Sequence, residues 1–379
     1  MQVKRAYRFR FHPTPEQERI LARTFGCARF VYNHMLRVRS DAWMQRQKRV
    51  GYHETSAALT LLKRTPEHAW LNEVSSVPVQ QALRHLNTAF LNFFAKRARY
   101  PSFKRKDGPQ AAEYTTSAFR WDAQQRELRL AKMDEPMAIR WSRTIPKGAK
   151  LSTVTISRDA AGRHFASLLC DDTVAAKPKA PGQVGIDLGL THFAVLSTGE
   201  KVASPKTFRR KEKRLGKWQR RMARAKLGSK NRAKWKAKVA RVHAHIADAR
   251  RDFLHKLSTR LISENQVIAV ETPSVSNMQR NPSLAKSISD ASWSEFVRQL
   301  EYKAQWYGRT LVGIDRWYPS SKRCSVCGHT QAAIRLSVRS WDCPECGTHH
   351  DRDINAARNV LAAGLAVSAH GEAVSPVSL

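Results

Sequence analysis

The sequence predicts an α/β fold joined to a separate β block, on three observations. Strand-like runs of period two open the chain and recur between residues 110 and 175, whereas from residue 184 onward short apolar strands alternate with long helical segments. The long helices are strongly basic. Acidic side chains are scarce in this 379-residue chain of net charge +36, yet three of them stand at the ends of predicted elements in its second half.

In order, residues 2–11 place Val3, Tyr7, Phe9 and Phe11 on one face of a strand and Lys4, Arg8 and Arg10 on the other. Thr14-Pro15-Glu16-Gln17 supplies an N-cap, a proline at the first helical position and a capping-box glutamine. The helix that begins there has Ile20, Ala28, Val31, Met35 and Val38 along its apolar stripe. A second helix follows Pro78 with Val79, Leu83, Leu86, Phe90, Phe93 and Phe94 at helical spacing, and stops before Tyr100-Pro101. That spacing favours core packing over base stacking for Phe93 and Phe94. Leu128 with Leu130, Ile139 with Trp141, and Val154 with Ile156 mark strands, and the turn Asp159–Gly162 leads into a further strand from His164 to Cys170. These strands are expected to complete a small sheet or barrel begun by residues 2–11, with the helices inserted between them.

Residues 175–182, rich in alanine, lysine and proline, read as a linker. Strands follow at Val184–Asp187, His192–Ser197 and Lys201–Ala203. Between Lys206 and Arg241 there are 17 Lys or Arg against one acid, Glu212, and Gly228-Ser229 breaks the run into a helical hairpin. Trp235, Val239, Val242, Ile246, Phe253, Leu257 and Leu261 give the second arm an apolar stripe, so that arm packs on a body. A charge run is commonly a solvated face. The excess of one sign here favours a phosphate track, with Arg220, Arg221, Arg224 and Lys234 as candidate contacts. Gln266–Val270 is a buried strand ended by Glu271, Ser292–Tyr307 a helix, Val312–Ile314 a strand and Asp353–Leu361 a short last helix. The small, polar residues from Ala366 onward read as a disordered tail.

The net charge of +36 and pI near 10.7 demand a polyanionic partner. Nucleic acid fits better than a membrane surface, because the basic residues run through helical segments and no apolar run reaches the length of a bilayer span. Met1–Phe11 lacks the hydrophobic stretch of a secretory leader, so an intracellular, soluble protein is expected. Four of the six cysteines fall in two close pairs, which in that compartment suggests metal rather than disulfides. Cys27 and Cys170 read as small buried apolar residues.

Cys324-Ser325-Val326-Cys327 and Cys343-Pro344-Glu345-Cys346 stand 15 residues apart, with Gly328 and Gly347 just behind them. Two such pairs can bring four thiolates tetrahedrally onto zinc. His349 and His350 could substitute as ligands. A filled shell would make this zinc structural and leave any reaction to another metal. The second signal is the set of Asp187, Glu271 and Asp353. Each alone is a turn, cap or ion-pair residue. Their elements run in the order of an RNase H-like core, in which such acids converge and can hold two Mg2+ ions about 4 Å apart for phosphodiester hydrolysis. Asp315, after a strand, and Asp351, placed to N-cap the last helix, compete for the third position.

Together, Gly185-Ile-Asp-Leu-Gly189, Val270-Glu-Thr272, Tyr318-Pro-Ser-Ser-Lys-Arg-Cys-Ser-Val-Cys-Gly328 and Asp351-Arg-Asp-Ile-Asn-Ala-Ala-Arg-Asn359 resemble the TnpB (OrfB) family of transposon-encoded proteins, relatives of the type V CRISPR effectors. Arg29–Asn33 and Asp252–Lys256 extend the resemblance over nearly the whole chain. It implies a split wedge β-barrel (1–12 and 110–180), an inserted helical recognition domain (13–109), a RuvC-like nuclease domain (181–319 and 351–363), a zinc-binding insertion (320–350) and a tail from 364. It implies RNA-guided DNA cleavage in a prokaryotic-type cytoplasm, near the nucleoid. The partners would be a guide RNA from the transposon end and double-stranded target DNA, with structural Zn2+ and catalytic Mg2+. It makes Asp187, Glu271 and Asp353 the catalytic acids, against Asp315 and Asp351, and points to Tyr52 and Gln80 as contacts to a short motif beside the target. Gln80 reads equally as a solvated helix residue. Glu271-Thr272-Pro273 departs from the acidic residue and leucine that often follow this glutamate. Two other readings remain: a transposase carrying out strand transfer with the same triad, and an RNA-guided repressor that binds without cutting. The zinc insertion speaks against the first, the complete triad against the second.

Overall fold

Alternation of apolar and charged side chains makes Gln2–Phe11 a strand, β1, with Tyr7, Phe9 and Phe11 buried and Lys4, Arg8 and Arg10 exposed. The computed structural model describes residues 1–146, 148–335 and 337–369. They form two compact units, Gln2–Thr173 and Val174 onward with Met1.

In the first unit α1 (Pro15–Arg46) starts on the expected capping box. Gln17 N–H donates to Thr14 Oγ1 (3.3 Å), and Thr14 N–H donates to Gln17 Oε1 (3.1 Å). Then come α2 (Tyr52–Leu62), α3 (Ser76–Phe94), β2 (Gln110–Thr115), a hairpin of β3 (Phe119–Asp122) and β4 (Glu127–Leu130), β5 (Ile139–Arg140), β6 (Lys150–Arg158) and β7 (His164–Thr173). The expected barrel takes the form of a five-stranded antiparallel sheet, β2-β6-β7-β1-β5, with the hairpin as a separate two-stranded sheet. β1 lies along β7 from Gln2 opposite Thr173 to Phe11 opposite His164, so the helices are an insertion within the sheet. α1 serves two cores: Leu21 and Phe25 join Phe9, Phe11, Leu128 and Leu168, while Val31, Met35 and Leu36 pack with Leu59, Leu83 and Leu86. One expectation fails here. Phe90 is the last α3 side chain in the helical core; beyond it Phe93 packs on Phe94 and Tyr100, and Phe94 is 67% exposed. Cys27 and Cys170 are buried, as read from the sequence.

The second unit opens with β8 (Gly182–Leu188), β9 (His192–Leu196) and β10 (Lys201–Ala203), followed by α4 (Thr207–Arg224) and α5 (Lys230–Glu264). Gly228, at φ +79°, and the Ser229 N-cap turn the chain between the two helices where the hairpin was expected. β11 (Asn265–Glu271), α6 (Val275–Met278), α7 (Pro282–Ala291), α8 (Trp293–Tyr307), β12 (Thr310–Ile314), the small pair β13 (Ser340–Asp342) and β14 (His349–Asp351), and α9 (Arg352–Ala369) complete it. The sheet order is β10-β9-β8-β11-β12. β8, β9 and β10 pair antiparallel, whereas β8, β11 and β12 run parallel. The segment read as a linker is pinned, because Arg309 donates to Pro178 O at 2.8 Å.

α9 lies against this sheet at two glycines. A Cβ on Gly185 would run into the backbone of Ala357 and Leu361, and one on Gly364 would stand 2.5 Å from Ala269 Cβ. The glycine two residues before Asp187 is therefore required by the close approach of α9. Gly364 also corrects the expected end of the last helix at Leu361 and the tail from 364. The helix stays packed on Ala269 and Val312 there and continues to Ala369. Residues 370–379, most of the expected tail, lie outside the described ones. Among the described residues no helix is long and apolar enough to cross a membrane.

Candidate functional site

Parallel pairing puts the carboxyl ends of β8 and β11 at one edge of the sheet. Ile186 is opposite Val270, so the next residue of each strand, Asp187 and Glu271, is an acid beside an acid. A hydrogen bond joins the two carboxyls. That bond acts to raise the Asp187 carboxyl and to lower the Glu271 carboxyl. Burial, then the charges of Glu271 and Asp353, push the Asp187 carboxyl up to about 8, with Arg352 opposing. Burial also raises Glu271, against the hydroxyl of Ser320, which donates to Glu271 Oε1 at 2.9 Å, the bond from Asp187 and the N–H of Leu188.

The third acid stands slightly apart. Asp353 opens α9 within electrostatic reach of Asp187, and its Oδ1 lies 3.7 Å from Arg339 Nη1. Asp351 takes the structural part available to it: Oδ1 accepts from the N–H groups of Asp353 (3.1 Å) and Ile354 (3.0 Å), while Oδ2 pairs with Lys201 Nζ at 2.6 Å. Asp315 accepts from Trp317 N–H at 2.7 Å and shapes the turn after β12. Both compete poorly for a metal, since their charge is already spent on the chain.

Among the described residues, the four cysteines are the only set of three or more His, Cys, Asp or Glu whose ligand atoms all lie within 4.8 Å of one another. Cys324 and Cys346 Sγ are 3.7 Å apart, Cys327 and Cys343 Sγ 3.5 Å. Four thiolates at Zn–S bonds of about 2.3 Å would have edges of about 3.8 Å, so the donor set matches zinc in kind and in size. Gly328 and Gly347 take left-handed φ of +81° and +66° and turn each pair back on itself. His350, considered as a ligand, is buried with Nε2 3.1 Å from Cys324 Sγ, placed to hydrogen-bond a ligand sulfur. His349 turns away to Asp342, at 2.7 Å.

Sequence reasoning missed what joins the two sites. Asn355 and Asn359, buried and one turn apart on α9, reach across to the chain entering the first cysteine pair. Asn359 Nδ2 donates to Ser320 O (2.8 Å) and Arg323 O (2.6 Å), Asn355 Nδ2 donates to Arg323 O (2.7 Å), and Asn355 Oδ1 accepts from Ser325 N–H (2.9 Å). The helix that carries Asp353 therefore also fixes Ser320, which holds Glu271. The i, i+4 asparagines at buried helical positions were the available signal.

Of the proposed nucleic-acid contacts, Arg220, Arg221, Arg224 and Lys234 are all exposed on the α4–α5 hairpin. Trp218 and Trp235 stack there at 5.4 Å, and the Arg221 guanidinium lies 5.2 Å and 5.1 Å from their ring centres. In the first unit Tyr52 sits under Arg84, whose guanidinium is 5.1 Å from its ring. Gln80, exposed, precedes Arg84 by one turn of α3.

A five-stranded sheet in which the first three strands are antiparallel and the first, fourth and fifth parallel, with acids at one edge, is an RNase H-like core, here carrying a cysteine knuckle. The OrfB-IS605 family model, described as a probable transposase, matches residues 166–282, a Cas12f1-like TNB domain model matches 293–360, and an OrfB-IS605 helix-turn-helix model matches 1–48. In the structure residues 2–46 are a strand and one long helix. A Streptomyces pristinaespiralis protein provisionally named RNA-guided DNA endonuclease is 57% identical over 99% of this chain and 93% of its own length. InsQ of Escherichia coli K12, under the same provisional name, is 34% identical over 99% and 96%. The Cas12f1 chain of a complex with sgRNA and target DNA is alike in fold, with a TM-score of 0.56 at 13% identity over 95% of this chain and 98% of that one. The chain belongs to the TnpB (OrfB) family.

Proposed function

We propose that this protein is an RNA-guided DNA endonuclease acting in the cytoplasm, with Asp187, Glu271 and Asp353 as the acids of a RuvC-like site. One observation carries the reading: parallel pairing of β8 with β11 sets Asp187 beside Glu271 at the carboxyl ends of the two strands, with Asp353 at the start of α9 in electrostatic reach. Arg339 and Arg352 only partly offset these acids, and their hard oxygen donors suit Mg2+. Bound there, Mg2+ would activate water and stabilise the leaving oxygen of a phosphodiester. Asp187, Glu271 and Asp353 would hold the ion, with Ser320 keeping Glu271 oriented. The four cysteines would hold a structural Zn2+. Guide pairing specifies the sequence, the α4–α5 hairpin holds phosphates through Arg220, Arg221, Arg224 and Lys234, and Tyr52 with Gln80 faces the short motif beside the target.

The test is to purify the protein with its bound RNA, sequence that RNA, and offer duplex DNA matching it in the presence of Mg2+. Cleavage is expected, and Asp187→Ala should abolish it. Absence of co-purifying RNA would sink the guided reading. Cutting by Asp187→Ala at the parent rate would sink the acid assignment, and products with strands joined rather than hydrolysed would favour strand transfer.

A further inference from the structure

The first unit carries a groove that the acids, the cysteines and the basic hairpin do not account for. It encloses about 590 Å3 between the end of α1 and the end of α3, and Trp43, Phe90, Phe93, Phe94 and Tyr100 wall it. Trp43, Phe94 and Tyr100 are 47%, 67% and 47% exposed. Large aromatic surface of this extent, gathered in one place, marks a binding site. The rings are held in place: Phe93 and Tyr100 meet edge to face at 5.2 Å, Phe90 and Tyr100 at 5.5 Å, and Ser40 Oγ lies 2.8 Å from Tyr100 Oη.

Charge narrows the occupant. The remaining side chains of the groove include Arg39, Lys48 and Arg49, against one carboxylate nearby, Glu54, which accepts from Gly51 N–H and acts on Arg39. The Arg39 guanidinium lies 3.9 Å from the Phe90 ring centre. The chain leaving α3 adds Lys96, Arg97, Arg99, Lys104, Arg105 and Lys106 before the first acid, Asp107. An apolar protein partner would use the rings and make no use of so one-sided a rim. A strand of nucleic acid uses both, flat faces for the rings and phosphates for the cations.

We propose that this groove binds unpaired nucleotides of the guide RNA, with bases against Phe94 and Trp43 and phosphates toward Arg39, Lys48 and Arg49. The inference rests on the reading of the protein as RNA-guided. RNA is favoured over DNA because a folded guide displays loops and single-stranded ends, whereas target DNA arrives with its bases stacked inside a duplex.

Two measurements on the full-length chain test it. In the first, protein purified with its RNA is irradiated without DNA and the adducts are mapped by mass spectrometry. Ribonucleotide adducts on the peptides containing Trp43 or Phe94 are expected. Adducts there that appear only as deoxyribonucleotides, after matching DNA is added, would overturn the assignment to RNA. In the second, binding of a labelled oligouridylate and of an RNA duplex is followed against salt. Phe94→Ala should weaken the oligouridylate about tenfold at every salt concentration and leave the salt slope and the duplex unchanged, since stacking carries no counterions. Phe94→Tyr should restore it. Should Phe94→Ala shift the melting temperature, Trp43→Ala, on a different helix, carries the same expectation. Unchanged oligouridylate affinity, an equal loss on the duplex, or a wild-type dimer that Phe94→Ala dissolves would each overturn the proposal. Arg221→Ala separates this result from the wider reading: it should flatten the salt slope by about one whatever the groove does.

Discussion

The cysteine cluster and the acid cluster both gather like donors around a place for a cation, and they differ in how far the protein alone completes the task. The thiols all lie within 4.8 Å of one another, positioned by two left-handed glycine turns within a short stretch of chain. The carboxylates come from β8, β11 and α9 and stop short: burial and neighbouring carboxylates raise the Asp187 carboxyl, and Asp353 rests near Arg339. A closed set of soft ligands suits an ion that stays. A half-buried set of oxygens with an arginine beside it suits ions that come with substrate and leave with product. On the function proposed above, one cluster serves structure and the other is the working site.

Removing zinc should have the largest effect, and it should fall on one side of that divide. Structural zinc contributes on the order of 10 kcal/mol to a small module. Cys343→Ser is expected to lower bound zinc, measured by atomic emission, and to open the segment 320–350 to proteolysis while the sheet stays folded. Full zinc content in that variant would mean that the thiols are not the ligands. Glu271→Gln should do the converse. Cleavage is expected to fall by about 10³-fold, roughly 4 kcal/mol in the barrier, with zinc content and RNA binding unchanged. A parallel loss of zinc would show that the two sites are one structural unit.

The same divide governs what could be read from the sequence. The four-cysteine cluster was legible because its chemistry is local: pair, spacing and trailing glycine all lie within a few residues. The acids were legible only by element order and family resemblance, because β11 and α9 meet β8 through pairing and packing that no window of sequence contains. Within that frame most strands of the two five-stranded sheets and the α4–α5 hairpin followed from periodicity and turn residues, while β2 was not singled out. What failed depended on tertiary neighbours. Nothing in the spacing of Phe90, Phe93 and Phe94 says that the helical core ends at Phe90, and nothing near Gly364 says that Ala269 and Val312 wait beneath it. The i, i+4 spacing of Asn355 and Asn359 was visible but not their role, since their partners are backbone groups on another segment.

Those asparagines give an intermediate effect that measures how the clusters communicate. Asn359→Ala removes two hydrogen bonds to Ser320 O and Arg323 O and leaves buried carbonyls unpaired, at a cost of about 1–3 kcal/mol. Because Ser320 also holds Glu271, cleavage should slow by more than the loss of folded protein explains, as measured by turnover per zinc-loaded molecule. Turnover per loaded molecule equal to wild type would make Asn359 purely a stability residue.

The smallest effect has the opposite sign in stability. Asp187 titrates near 8 in the folded protein against an ordinary 3.8, so between those values the folded state holds a proton that the unfolded chain has lost. Stability therefore falls as pH rises through that window, and the penalty is complete above it. Asp187→Asn removes the ionisable group and keeps a donor for Glu271. Without Mg2+ at pH 8 the variant should be more stable than wild type, read as a higher melting temperature. The gap should close as pH falls toward 4. Added Mg2+ should narrow it at pH 8 by stabilising the wild type alone, because the ion replaces the proton that Asp187 otherwise retains. A variant less stable than wild type at pH 8, or a gap that widens on acidification, would mean that the carboxyl pair is not strained. The working site would then need no more metal than its neighbours supply.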